Sequence, residues 1–400
     1  MSAPAAIHAP DDPGAEALLR SVPGARELRD RVRAIARREV APRAIAVDAG
    51  TASVQDSYRP LAEAGLGGLP VGEAYGGIDA GMLAYVAAVE EVTAACGATA
   101  TLYMTQMNCA NAILASGHEQ LARRVVPGLC SGERCGSIAI TEPQAGSDVS
   151  QLRTRARREG GEYVLDGAKT FITSGDVADA IVVFAVVPET RGTTAFLVEG
   201  GTPGLSVGRV LHKLGQRGGS TVELFLEDCR VPASQRLGAE GDGGAIGRRT
   251  LGKARSSAAA QGVGFAAAAL AHALRWAQAR GLLDRDRADA QDLQLALAEL
   301  RARTAAARSL LYATAIALDA DPAPDAADAV ALAKSFCADT GMAVADAVLG
   351  LMGEDADRAE LEAERVYRDV KVTQIYDGTN EIQRLVAARA LSRAAAPAMR

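Results

Sequence analysis

Thr141-Glu142-Pro143-Gln144-Ala145-Gly146-Ser147-Asp148, followed by Phe171-Ile172-Thr173-Ser174-Gly175, is the stretch on which the reading of the fold turns. Pro143 fixes one φ and Gly146 frees another, so the first piece is a turn. Thr141 and Ser147 each bring a hydroxyl that can donate and accept. The apolar Gly136-Ser137-Ile138-Ala139-Ile140 just before it reads as a short buried strand. The turn therefore projects from a strand end, where successive N–H groups can form an anion-binding concavity.

Between the two pieces the pattern alternates. Glu162-Tyr163-Val164-Leu165 is strand-like, Asp166-Gly167 is a hairpin signal, and Lys169 to Thr173 reads as the return strand. Ala180 to Val187 is a continuous apolar run, short enough for one buried strand. Val222 to Asp228 continues the alternation, so residues 135–240 read as a β-sandwich or barrel domain. Upstream, Glu27 to Val40 has helical spacing and is expected to end at Ala41-Pro42. Gly81 to Ala94, Met107 to Ala115 and His118 to Val126 are further helices, giving an N-terminal helical domain over 21–134. From Gly244 the chain reads as long helices to about Arg280, then Ala290 to Leu318 and Asp325 to Leu349. This is a C-terminal four-helix bundle over 241–400. Gly238 to Gly247 lacks the GxGxxG spacing and a surrounding βαβ unit, which excludes a Rossmann fold. The fold class is α+β, mostly helical.

The net charge of −6 excludes a nucleic-acid partner as the natural expectation. Cys96, Cys109, Cys130, Cys135, Cys229 and Cys337 are scattered without a CxxC pair. They predict reduced thiols in a cytoplasmic protein, and no metal site. The Ala/Pro-rich start has no signal-peptide pattern, and residues 1–20 are expected to be a flexible tail. No unbroken apolar segment reaches bilayer length, so no membrane partner is expected.

T-E-P-x-A-G-S-D, with G-x-Y-x-L-x-G-x-K-x-F-I-T-x-G some twenty residues on, resembles the acyl-CoA dehydrogenase family. Val231-Pro232, Leu237-Gly238, Gly241, Leu251 and Arg255 match that family's crossing into its last domain. Tyr367-Arg368-Asp369 and Gln374-Ile375-Tyr376-Asp377-Gly378-Thr379-Asn380-Glu381-Ile382-Gln383-Arg384 match its C-terminal signature. The resemblance runs from about Glu27 to Leu391.

The resemblance implies FAD-dependent dehydrogenation of an acyl thioester, carried on CoA or on a carrier protein, at its α and β carbons. A carboxylate takes the α-proton while hydride leaves the β-carbon for the flavin. It implies Asp377 as the base, its own N–H helping to stabilise the enolate oxygen. Ile138, Ile140, Thr141, Ser147, Phe171, Ile172 and Thr173 would hold the flavin, with Thr379 and Glu381 on its phosphate side. Arg280 and Gln291 would grip the FAD tail of a neighbouring subunit. Ser147, Arg255, Tyr376 and Gly378 would contact substrate, and Tyr103, Met104 and Met107 would wall the acyl pocket. It further implies a homotetramer passing electrons to electron-transfer flavoprotein.

The chain departs from the family pattern in several places. The family's usual base is Glu, and Asp377 is one methylene shorter. The alternative base position, beside Arg255, holds Ala254. Leu283-Asp284 replaces an aromatic-glycine pair, Gly252 an acidic residue, and Leu349-Gly350-Leu351-Met352-Gly353 the usual Gln and paired glycines. Two other functions therefore stay open: a flavin oxidase of the nitroalkane type, and a non-catalytic partner subunit of a mixed tetramer. Each hydroxyl named could equally cap a turn, and Asp377 could merely order the loop before the last helix.

Overall fold

Asp12 accepts a hydrogen bond from the Gly14 amide at 3.0 Å and so caps helix α1 (Pro13–Ser21). The computed structural model describes residues 11–190, 192–284, 286–287, 290–320, 326–358 and 362–395. α1 corrects the expectation of a tail over 1–20 from Pro13 onward. It buries Ala15 and Leu19 and pairs Glu16 with Arg29 at 2.6 Å. The first ten residues of that expected tail lie outside the described ones. Helix α2 (Ala25–Ile35) continues through a π-turn (Ala36–Val40) and a 3-10 turn (Ala41–Arg43) into α3 (Ala44–Asp48). Pro42 therefore redirects the helix instead of ending it, because it sits in the first turn of the 3-10 segment, where its missing N–H removes no bond.

Helices α4 (Val54–Glu63), α5 (Gly81–Ala95), α6 (Gly97–Ala115) and α7 (Glu119–Ser131) complete the first region. α5 and α6 are apolar nearly all round and are buried along most of their length, as helices without a polar face must be. Tyr103, Met104 and Met107 are buried there, and the Tyr103 hydroxyl donates to the Leu66 carbonyl at 2.9 Å.

Among the described residues eight strands follow: β1 (Gly136–Ala139), β2 (Arg155–Glu159), β3 (Glu162–Thr173), β4 (Ala180–Val187), β5 (Gly192–Glu199), β6 (Leu205–Val210), β7 (Thr221–Pro232) and β8 (Arg236–Leu237). They form one sheet in the order β6-β7-β3-β2-β4-β5-β8, with β1 pairing β4. β1 and β2 run parallel to β4, and the other pairs are antiparallel. The run Ala180–Val187 is apolar throughout because both faces of β4 are covered. Ile181, Val183, Ala185 and Val187 enter the β core with Phe196, Leu165 and Leu224, while Ala180, Val182 and Phe184 enter the helical core.

The hairpin expected at Asp166-Gly167 is not there. β3 runs straight through, with a register shift between Leu165 and Gly167, and the turn into it is Gly160-Gly161. Gly167 makes a bulge (φ +156°) where a Cβ would lie 2.5 Å from Thr154 Oγ1, so the Asp-Gly pair marks a close approach and not a turn.

The last region holds α8 (Gly243–Ala279), α9 (Gln291–Ala320), α10 (Ala326–Met352), α11 (Ala363–Val370) and α12 (Asn380–Ala395). α8 packs on α5 and α6 as well as on α10, and α10 in turn touches α9 and α12. α8 and α10 are long and apolar enough to cross a membrane by length and composition, contrary to expectation. For α8 that composition serves burial, 89% of its most apolar window being inside the protein, against 44% for α10.

The α8–α10 crossing depends on two glycines, since a Cβ on Gly262 would lie 2.5 Å from the Cys337 carbonyl and one on Gly341 2.5 Å from the Gly262 carbonyl. Gly262→Val should therefore cost about 1–3 kcal/mol of stability, read as a lowered midpoint in chemical denaturation. An unchanged midpoint would show that the helices are not held in backbone contact.

Candidate active site

The 141–148 turn is pinned from beneath. Glu142 is buried and its carboxylate accepts from Lys169 Nζ (2.8 Å), the Arg153 amide (2.6 Å) and the Thr154 amide (3.0 Å). Lys169, equally buried, also donates to the Ile140 carbonyl at 2.9 Å. Burial alone would raise the Glu142 carboxyl, but the bonds from Lys169, Thr154 and Arg153 outweigh it and hold it at about 2. Burial lowers Lys169 to about 8. The two shifts oppose each other energetically, so the pair serves to define the turn more than to add stability. The Thr170 amide donates to the Thr141 carbonyl at 3.0 Å and the Ser137 hydroxyl to the Thr173 carbonyl at 2.7 Å, tying β1 and its turn to β3.

On that edge Phe171 stands 66% exposed with φ +58°, beside half-buried Thr141 and Thr173. Leu214 and Val177 are also exposed. An uncovered aromatic face flanked by hydroxyls and strand-end amides suits a planar ring with a polar edge, such as flavin. Ile138 and Ile140 are partly buried on the helical side. Ile172, expected to contact the cofactor, instead points its side chain into the β core at 2% exposure, so only its backbone could serve. Ser147 is exposed on the turn.

Asp377 lies in the loop before α12 with φ +53°, and Gly378 follows at +87°. Two successive left-handed residues need outside support. Arg255 Nε and Gln383 Nε2 each donate to the Asp377 carbonyl at 3.3 Å. Lys334 Nζ and Gln383 Nε2 each donate to the Gly378 carbonyl at 2.9 Å. The φ of +87° at position 378 favours glycine, and a Cβ there would also crowd Gln383 Nε2 at 2.6 Å. Burial raises the Asp377 carboxyl above the usual 3.8, against the opposing pull of Lys334 and Arg255. Arg255 is thus a backbone clamp and not a surface ion pair. Thr379 Oγ1 accepts from the Ile382 amide at 3.4 Å, capping α12, and Glu381 is exposed there.

A buried polar chain joins this loop to the sheet. The Tyr376 hydroxyl donates to Gln261 Oε1, and Gln261 Nε2 donates to Thr101 Oγ1 (3.1 Å) and the Gly97 carbonyl (3.2 Å). Thr101 donates to Gln216, whose amide N–H reaches the Asp369 carboxylate. Burial raises Asp369 to about 6. Gln216 belongs to the loop between β6 and β7 and has φ +50°.

Arg280 and Gln291 do not join this site within the chain. Arg280 follows α8 twenty-five residues beyond Arg255, about 37 Å along the helix, pairs with Asp355 and stacks on Trp276 at 5.3 Å. Gln291 is exposed at the start of α9. Glu142, Lys169, Gln216, Gln261, Lys334 and Gln383 were not anticipated from the sequence. Glu142, Lys169 and Gln383 stand inside the motifs, and Lys334 is the lone cation of a helix whose other charged residues are aspartates, which was the available signal.

Residues 23–133, 137–229 and 241–392 match the family models described as acyl-CoA dehydrogenase N-terminal, middle and C-terminal domains. The chain is 36% identical over 368 residues to an acyl-CoA dehydrogenase of Bacillus subtilis (strain 168), covering 91% of this chain and 97% of that one. Its structure superposes on butyryl-CoA dehydrogenase from Megasphaera elsdenii with a TM-score of 0.88 at 32% identity, covering 93% of this chain and 99% of that one. A chain in the structure of the electron transferring flavoprotein of Acidaminococcus fermentans matches with a TM-score of 0.88 at 34% identity, covering 93% and 98%.

Lys169→Met strands the Glu142 carboxylate in the interior. The expected cost is about 3–5 kcal/mol in chemical denaturation, largely recovered in the double variant with Glu142→Gln. A single-variant loss no larger than the double variant's would show that the ion pair does not define the turn.

Proposed function

The chain belongs to the acyl-CoA dehydrogenase family, and from that premise we propose that it binds FAD beside Phe171 and uses Asp377 to draw the α-proton from an acyl thioester on the way to a 2-enoyl thioester. It is an oxidoreductase acting on a CH–CH bond. The observation that carries the reading is a carboxylate on a left-handed turn, raised by burial and faced by two cations, in the loop joined through Gln261 and Thr101 to Gln216 of the β6–β7 loop.

FAD, when bound, supplies the acceptor for the hydride that leaves the β-carbon. Thr141, Ser147, Phe171 and Thr173 would hold its ring region, Ile138 and Ile140 would pack behind it, and Thr379 and Glu381 would face its phosphate side. The chain's own part is proton chemistry. As the α-C–H bond breaks, its proton passes to the Asp377 carboxylate, whose raised affinity for protons brings it closer to neutral pH. Negative charge grows on the thioester oxygen. No acceptor among the described residues takes the Asp377 N–H, which leaves it free to donate to that oxygen. The shorter Asp would be accommodated by a loop fixed at both carbonyls, where Arg255, Lys334 and Gln383 hold the backbone that carries its carboxylate. Ala254 offers no competing base. Tyr376 and Gly378 would flank the thioester, with Arg255 and Ser147 toward its carrier arm, whether CoA or a carrier protein.

Arg280, pairing with Asp355 at the far end of α8, and Gln291, exposed at the start of α9, would serve the FAD of a neighbour in a homotetramer. The exposed Leu332 and Phe336 of α10 offer an apolar face for such assembly. Electron-transfer flavoprotein would reoxidise the enzyme, and six free thiols suit a reducing compartment such as the cytoplasm.

Anaerobic titration of the yellow protein with short, medium and branched acyl-CoAs should bleach the flavin. Asp377→Asn should slow bleaching by at least about 10²-fold. The rate should rise with pH through a value above the ordinary aspartate range, because the base works only when ionised and its affinity for protons is raised. Peroxide formation with nitroalkanes and no bleaching by any thioester would contradict the proposal in favour of an oxidase.

A further inference from the structure

Lys334 projects from α10 with no exposed surface, and its ammonium donates to the Gly378 carbonyl and to Asn380 Oδ1, both at 2.9 Å. Asn380 is buried in turn, donating to Asp339 Oδ1 (2.8 Å) and the Ser335 carbonyl (3.3 Å). One turn and a half of α10 therefore holds both the turn that carries Asp377 and the first residue of α12. A neutral donor could make the same two hydrogen bonds, and burying an ammonium is costly unless its charge is answered. Both direct acceptors are uncharged. The charge is answered at longer range by three carboxylates: Asp377 in the loop, Asp339 on α10 and Glu381 on α12. Arg255 of α8 opposes it. Asp339 is also engaged by Arg384 of α12, and Glu381 is exposed, which leaves Asp377 as the half-buried carboxylate beside the ammonium.

We propose that Lys334 is a positioning residue for the base: its hydrogen bond fixes the carbonyl that follows Asp377, and its charge is the counter-charge the Asp377 carboxylate faces from the bundle side. This rests on Asp377 being the base. Burial lowers Lys334 to about 8, so the ammonium persists at neutral pH. Lys334 also draws the Asp377 carboxyl down more than Arg255 does. Removing the charge lets burial raise Asp377 further. The base then protonates at higher pH, and the acid limb of the rate profile moves up.

The test uses full-length, FAD-loaded protein and the rate of anaerobic bleaching by an acyl-CoA as a function of pH, in wild type, Lys334→Gln, Lys334→Met and Lys334→Arg. Lys334→Gln keeps a donor for the Gly378 carbonyl, and so remains informative if Lys334→Met does not fold. Both neutral variants should move the acid limb to higher pH by about half a unit or more, whereas Lys334→Arg should leave it near the wild-type position. A folded, yellow Lys334→Gln whose limb coincides with wild type would overturn the assignment, as would an equal displacement in Lys334→Arg. If no thioester bleaches the wild type, the dehydrogenase reading itself fails. If the wild type bleaches and the limb stays put, only the role of Lys334 fails.

Discussion

The left-handed pair Asp377-Gly378, held by its two carbonyls, is the constraint on which the proposed chemistry depends. An aspartate with φ +53° followed by a glycine with φ +87° is not a resting conformation of a free loop. Arg255 from α8, Lys334 from α10 and Gln383 from α12 converge on the two carbonyl oxygens, so three helices of the last region hold the turn in place. In the proposed mechanism such convergence would compensate for a short side chain. A carboxylate with less reach can act only if its backbone does not wander.

Positive-φ backbone recurs around the candidate site. Of the seven described non-glycine residues with positive φ, Phe171, Ser174, Gln216 and Asp377 belong to the sheet edge, its loop or the C-terminal turn. The Gln216–Thr101–Gln261–Tyr376 chain runs between them through α6 and α8, and each side chain in it is at least partly buried. A satisfied buried network of this kind rigidifies, and removal of one member leaves others unpaired. The sheet and the helical bundle are thereby registered to each other. The double burial of β4 does the same job with apolar contacts.

Much of this was legible in the residues. The apolar run Ala180–Val187 is a strand with the bounds its pattern suggests, and the long helices α8, α9 and α10 begin and end close to where their periodicity breaks. The carboxylate at 377, its glycine and Arg255 do come together. What was not legible depends on tertiary contact. Asp166-Gly167 has the composition of a hairpin, but the approach of Thr154 makes it a bulge. Pro42 has the composition of a helix stop but falls in a first turn. Ile172 sits in the quoted motif, yet the irregularity between Lys169 and Ile172 turns Phe171 outward and Ile172 inward. Lys334 lies more than forty residues before the loop it supports, and no local pattern encodes that meeting.

The proposed proton abstraction by Asp377 can be isolated from everything that follows it. A thioester with acidic α-hydrogens but no β-hydrogen, such as an arylacetyl-CoA, cannot be dehydrogenated. Its α-position can still exchange in deuterated water on the FAD-loaded protein. Deuterium wash-in by the wild type, slowed at least about 10²-fold in Asp377→Asn, is the expected result. Exchange at the wild-type rate in Asp377→Asn, with FAD and fold retained, would contradict the assignment of this carboxylate as the base.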